Sequence, residues 1–443
     1  MKISILFVAP SAYCLGGVQV WLNKLILGLR ADPQWNPMLA LPDGGHHDLS
    51  RYLKAYPELA AWPLANPTGS MEGRRQAISK LLLAHNPDLV VGVNIADLYP
   101  AVRRARRMGY NGKVVFSLHG LAGDLLADIA DEADLLDGVI GTNRLSCRLV
   151  EQLTALPPDR IFYAPYGVDF PQDTAEANRV DGEASETGAL RILWVGRLEQ
   201  EQKRVHDLKA ILLALDRKSL PYQLTIAGDG PEQEALRQAL QPWVIDRRVV
   251  FAGALSSQAM INTVYPSQQV LLITSQWETG PIVAWEAMAA GLSVVSSGYI
   301  GSGCEAALQS GKNCLLFPIG NSEEAASALA RCADRHLREQ LVQHGRELVH
   351  QRYTQGASLQ AWKEAFHRVL ASTPRTQVNP EPPLPPSGRL DRVLGASLAD
   401  RLRRRLGVQF AHQSAGGEWP HTAHGEIRED SILERAREID ATA

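Results

Sequence analysis

The chain has 443 residues, 45% of them hydrophobic and 21% charged, with a formal net charge of −3, so it reads as a large multidomain globular protein rather than a disordered or membrane-spanning one. So neutral a chain is not built as a whole to coat nucleic acid, and nucleic acid is not expected as a partner. Its five cysteines, Cys14, Cys147, Cys304, Cys314 and Cys332, show no CxxC spacing and exclude a disulfide scaffold, pointing to a reducing compartment.

The N-terminal apolar run ends at Pro10 after Ile3–Ala9, too short for a secretory signal core, and reads as a buried first strand. The expected location is the cytoplasm. Short β-rich runs then alternate with longer amphipathic stretches, the pattern of parallel sheets covered by helices. Strands are predicted at 3–8, 37–41, 89–93, 113–118 and 138–141, with helices such as 18–30 and 74–85 between them. Residues 171–189 are acidic and lack apolar periodicity, as an interdomain linker does. A second alternating series has strands at 191–195, 223–227, 249–251, 270–274, 293–296 and 314–317. Neither first strand is followed by GxGxxG, which disfavours a dinucleotide dehydrogenase.

The expected division is therefore a first Rossmann-like domain over 1–170, the linker 171–189, a second such domain over 190–352, a helix over 353–370 that crosses back, and a Pro-rich linker and tail over 371–443. Residues 374–389 contain six prolines and predict an extended spacer. Leucines 390, 394, 398, 402 and 406 then recur among Arg401, Arg403, Arg404 and Arg405. A basic amphipathic segment over 390–407 would suit peripheral contact with anionic lipid; it would equally suit a helix that docks on its own protein. The remaining residues read as largely disordered, apart from a helix near 431–439.

The densest chemical signal is SQWETGPIVAWEAMAAGLSVVSS, residues 275–297. A strand ends, a loop carries Glu278, and Thr279–Gly280–Pro281 opens a helix with Pro281 at its first position. Glu286 lies in the second turn. The helix start offers N–H groups and partial positive charge to a phosphate, while two carboxylates beside it can accept from sugar and ribose hydroxyls. The plain alternative is one helix-terminal and one exposed glutamate. In WVGRLEQEQKRVHDL (194–208), Arg197 and Lys203 leave the second series' first strand, where two cations can grip a diphosphate. They would otherwise be solvated surface cations. Gly16–Gly17 opens the first helix and permits a close backbone approach to a ligand, or is simply a loop. His119 ends the strand KVVFSL, as a site residue or as a loop histidine satisfied by a neighbour.

Together these motifs resemble the retaining, GT-B-fold glycosyltransferases of family 4, glycosyl transferases group 1, over about residues 1–370. The resemblance implies an α/β GT-B fold, two facing Rossmann-like domains with a cleft between them, and transfer of a sugar from a nucleoside diphosphate donor to a carbohydrate or lipid-linked acceptor, with retention. By the same resemblance Glu286 binds ribose, Glu278 contacts the donor sugar, and Arg197 and Lys203 hold the diphosphate. Gly17, Thr279, Gly280, Pro281 and Ile282 line the donor, and His119 lies near its sugar. ETGP stands here where many members have EGFG, and Tyr166 replaces the usual Asn in YGVD (166–169). No Asp-x-Asp clamp is present, so neither metal nor cofactor is expected. A sugar-nucleotide epimerase of the same fold and a non-catalytic binding relative are the competing readings.

Overall fold

Strands buried on both faces read as unbroken apolar runs, and the centre of the first sheet is built from such runs. Ile5–Val8 and Leu89–Val93 are buried throughout. The structure, a computed structural model, describes residues 2–10, 17–43, 49–170, 188–373, 375, 379–384, 386, 388–409, 419–423 and 429–442. The predicted linker, except for residues 188 and 189, and also Gly16 and Cys14 lie outside the described residues. The chain divides into two units, Met1–Ala164 with Leu359–Leu433, and Pro165–Ser358 with Glu434–Ala443.

The first unit holds seven parallel strands: β1 (Ile3–Val8), β2 (Trp35–Asp43), β3 (Ala61–Ala65), β4 (Leu89–Val93), β5 (Lys113–Leu118), β6 (Gly138–Gly141) and β7 (Ile161–Tyr163). Their order is β3-β2-β1-β4-β5-β6-β7. The sequence reading lacks β3 and β7, which are the two edges. Only Leu64 of AWPLA is buried, and its Pro63 cannot donate to a ladder. The helix Gln355–Ala371 begins in the second unit and ends in the first. Its Trp362 and Phe366 are fully buried, with their rings against Trp21, Phe7 and Trp35.

The second unit holds six parallel strands: β8 (Leu190–Val195), β9 (Tyr222–Ala227), β10 (Val249–Gly253), β11 (Val270–Ile273), β12 (Ser293–Ser297) and β13 (Leu315–Phe317). Their order is β10-β9-β8-β11-β12-β13. The order reverses between β8 and β11, and the carboxyl ends of the strands at such a switch point are where open α/β sheets bind ligands. Cys314 and Cys332 are buried in this unit, which pushes their thiols up to about 12 and about 11, far from thiolate reactivity.

The tail corrects the expectation of a largely disordered extension. Glu381, in the Pro-rich stretch, receives Arg75, Arg104 and Arg107, and the Asn379 carbonyl receives Arg103. The stretch is thus strapped to the first unit instead of acting as a free spacer. Two helices follow, Arg389–Leu394 and Ala396–Leu406, broken at Gly395. Their inward face is polar. Asp400 accepts from Thr68 Oγ1 at 2.5 Å, Ser70 Oγ at 2.6 Å and Arg404 Nε at 2.8 Å. The last helix, Glu429–Ala441, spans the predicted 431–439 and belongs mostly to the second unit. There its Asp440 accepts from the backbone N–H groups of Gly301 and Cys304, at 2.9 and 2.7 Å.

Burial alone would raise the Asp400 carboxyl; its bonds from Ser70, Thr68 and Arg404 outweigh that and hold it below the ordinary carboxylate value. Its stabilising contribution is therefore complete above the ordinary pKa and is lost as pH falls from there through the lowered folded value. Asp400→Ala should cost about 1–3 kcal/mol at neutral pH by stranding its donors. Urea unfolding at neutral pH and at acid pH measures both the loss and its fading.

Candidate functional site: the loops after β8 and β11

β8 ends at Val195, and the chain turns out through Gly196 and Arg197. This loop is built on its neighbour. Gly196 N donates to Ala227 O, Leu198 N to Asp229 O and Glu232 N to Leu198 O. The approach requires Gly228, whose φ is 138° and where an added Cβ would lie 1.9 Å from the Gly196 carbonyl oxygen. That is the work of AGDGPE: it shapes the loop next door. Between Arg197 and Lys203, six positions apart, the chain curls around Glu199, whose carboxylate accepts from the backbone N–H of Gln202 at 3.1 Å and of Lys203 at 2.7 Å.

The loop after β11 is stitched to this curl. Thr274 Oγ1 donates to Lys203 O, Gln276 N to Gln202 O, and Gln202 Nε2 to Trp277 O. The stitching brings Lys203 Nζ to 2.6 Å from Glu278 Oε1, with Glu278 buried and Lys203 mostly so. Ser275 Oγ donates to the same carboxylate at 2.5 Å. Gln202 and Ser275 were not singled out in the sequence, since neither has a spacing signature and both act through loops about 75 residues apart. Arg197 is exposed at the mouth of the same loop.

Thr279 and Gly280 lead into the helix Ile282–Ala290. It starts one residue later than predicted: Gly280, at φ 100°, swings the chain, and Pro281 caps the helix instead of occupying its first position. Gly280 and Ile282 carry the amides at this terminus; Pro281 has none. Glu286, in the second turn, accepts from Tyr265 Oη at 2.8 Å. Burial, with the Glu286 charge, holds the Tyr265 hydroxyl well above its usual value, so it remains a donor. Tyr265 is a further partner that the sequence did not mark.

The remaining two predicted residues are in the first unit. Gly17 is exposed at the start of the helix Gly17–Arg30. His119 directly follows β5, but its side chain is buried. Its Nε2 is hydrogen-bonded with Ser117 Oγ at 2.5 Å, and its ring centroid is 4.5 Å from that of Trp21. Burial lowers its pKa to about 3, so the ring is neutral. Among the described residues, no group of three or more His, Cys, Asp or Glu is arranged to hold a metal ion, and no helix is long and apolar enough to cross a membrane.

The profile described as "Glycosyl transferases group 1" matches residues 189–335, the whole of the stitched-loop region included. Among curated relatives, glycogen synthase of Mycobacterium tuberculosis is 32% identical over 201 residues, which cover 45% of this chain and 46% of the relative. The chain thus spans about half the length of the relative it matches. Two solved structures share the fold. The lipopolysaccharide outer core galactosyltransferase WaaB aligns with a TM-score of 0.65 and 20% identity, over 82% of this chain and 99% of that one. Anabaena HepE, solved with UDP and glucose, aligns with a TM-score of 0.67 and 18% identity, over 83% and 100%.

A neutral His119 has a thermodynamic signature. The unfolded chain takes up a proton near pH 6.5 and the folded one only near about 3, so stability is lost as pH falls between those values. Relative to the non-titrating His119→Gln variant, the wild-type unfolding free energy should fall by about 1.4 kcal/mol per pH unit in that window. Urea unfolding at a series of pH values tests this; a constant difference would mean that the folded ring is protonated.

Proposed function

We propose that the chain, whose residues 189–335 match the glycosyl transferases group 1 profile, is a retaining glycosyltransferase that moves a sugar from a nucleoside diphosphate sugar to an acceptor hydroxyl. The observation that carries this reading is the Lys203–Glu278 pair at the point where the second sheet's strand order reverses. In such a donor the sugar is bonded directly to the outer phosphate, so the groups that bind the two must be neighbours. A cation and a carboxylate 2.6 Å apart meet that need. Lys203 Nζ faces the phosphate with its remaining donors, and Glu278 accepts from sugar hydroxyls. Arg197 adds a second cation from the same loop, and the Gly280 and Ile282 amides, with Thr279, face the phosphates at the helix start. Glu286 accepts from the ribose, oriented by Tyr265.

The departing diphosphate gains negative charge as the glycosidic bond breaks, and preorganised cations and amides stabilise that charge in the transition state. Its outer phosphate oxygen is positioned to take the proton of the incoming hydroxyl. His119 does not serve as a titrating acid or base in this scheme, because its ring is neutral and fixed by Ser117 and Trp21. Acceptors of the carbohydrate or lipid-linked class, in polysaccharide or glycolipid synthesis, are the ones to try first. UDP-glucose is the first donor to try, given the UDP and glucose bound to HepE. A thermal-shift screen of UDP-, GDP- and ADP-sugars followed by donor turnover with and without acceptor tests the reading. Acceptor-dependent release of nucleoside diphosphate and formation of a glycoside supports it. Interconversion of the donor with no glycoside formed overturns it in favour of an epimerase.

Lys203→Ala and Arg197→Ala should each slow turnover about 10²–10³-fold, a loss of roughly 3–4 kcal/mol of leaving-group stabilisation. Steady-state kinetics of both variants near the wild-type rate would remove the diphosphate assignment.

The two glutamates should separate in calorimetry. Glu286→Gln should weaken binding of the bare nucleoside diphosphate, because an amide oxygen accepts less than a carboxylate already engaged by Tyr265. Glu278→Gln should leave that affinity nearly unchanged and reduce sugar-dependent turnover. Equal nucleotide affinity in wild type and Glu286→Gln would refute the ribose role.

A further inference from the structure

The helices Arg389–Leu394 and Ala396–Leu406 are packed inside out. A surface helix ordinarily buries its apolar stripe and exposes its charges. Here the buried side chains are Ala399, Asp391, Asp400 and Arg403. Arg403 pairs with Asp391 at 2.6 Å, and Asp400 is fully buried on Thr68 and Ser70. The leucines face solvent: Leu398 is 48% exposed, Leu402 36%, Leu406 65%, and Val393, just before the break, 81%. An exposed apolar stripe held in place by a buried polar network marks an interaction surface.

The charge left on that surface indicates the occupant. Both carboxylates of the segment 389–409 are turned inward and paired, so they do not dilute its positive charge. The exposed charges are Arg389, Arg392, Arg401 and Arg405, all cationic, beside the leucines. Pairing of two copies through this face would set arginine against arginine. An anionic surface with an apolar interior satisfies both halves of the pattern.

We propose that the outward face of residues 389–408 binds an anionic lipid bilayer, with Leu398, Leu402 and Leu406 entering the headgroup–acyl boundary and Arg401 and Arg405 engaging lipid phosphates. This stands independently of the donor chemistry, since the face is in the first unit and shares no residue with the stitched loops of the second. It also differs from an anchor on a loose tether: the helices are already docked, so the surface is preformed.

Co-sedimentation of the full chain with vesicles of phosphatidylcholine plus phosphatidylglycerol, against phosphatidylcholine alone, tests it. Binding is expected only to the anionic vesicles and should weaken with salt. The triple variant Leu398→Ser, Leu402→Ser, Leu406→Ser should lose more than about tenfold in partitioning. Arg401→Gln with Arg405→Gln should lose about 30-fold, two surface cations' worth. These side chains are exposed, so unchanged circular dichroism and urea midpoints are expected and show that the variants fold. Absent binding, equal binding to neutral vesicles, or full binding by both variants overturns the proposal. Light scattering that shows a dimer broken by the triple variant, with no vesicle binding, overturns it in favour of a second copy.

Discussion

One ion pair sets the geometry of the second unit's ligand edge. Lys203 and Glu278 come from loops that leave different strands, and the 2.6 Å contact between them is flanked by hydrogen bonds that join those loops through backbone and side chain. Burial of the carboxylate makes the partner obligatory, since an unpaired buried charge is costly. Glu199 curls one loop, Gly228 lets it lie against the next, and Thr274 joins it to the other. The shape of the whole edge follows from the need to keep that pair together.

The sequence made the sheets legible where burial is complete. β4 and β11 are continuous apolar runs because both their faces are covered. β3 and β7 escaped because edge strands are half-exposed and short, and β3 also contains a proline, Pro63, which cannot donate to a ladder. At the site, the strand–loop–helix pattern around Glu278 and Glu286 is local and could be read. The meeting of Lys203 with Glu278 could not, because it depends on the pairing of β8 with β11, which lie apart in the chain by β9, β10 and their helices. The same limit hid Tyr265 and Ser275.

Charge was the poorest guide in the tail. Asp391, Asp400 and Arg403 are of types seldom fully buried, yet each has its counter-charge or its hydroxyl donors inside. Proline composition misled in the same way: six prolines suggest a free spacer, but three arginines hold Glu381 down. A segment's composition states what it can do alone, and here the surface it lands on decides.

The two bonds that Asp440 accepts from the N–H groups of Gly301 and Cys304 carry a lesson about modularity. The second unit is assembled from two separate lengths of chain, 165–358 and 434–443. Cutting out the longer one as a contiguous fragment would leave those two amides without their acceptor, beside the loop that follows β12. The domain that looks self-contained on a linear map therefore lacks a wedge supplied by residues 434–443. Expression boundaries, tags and domain-swap chimaeras for this protein should be chosen to keep both pieces.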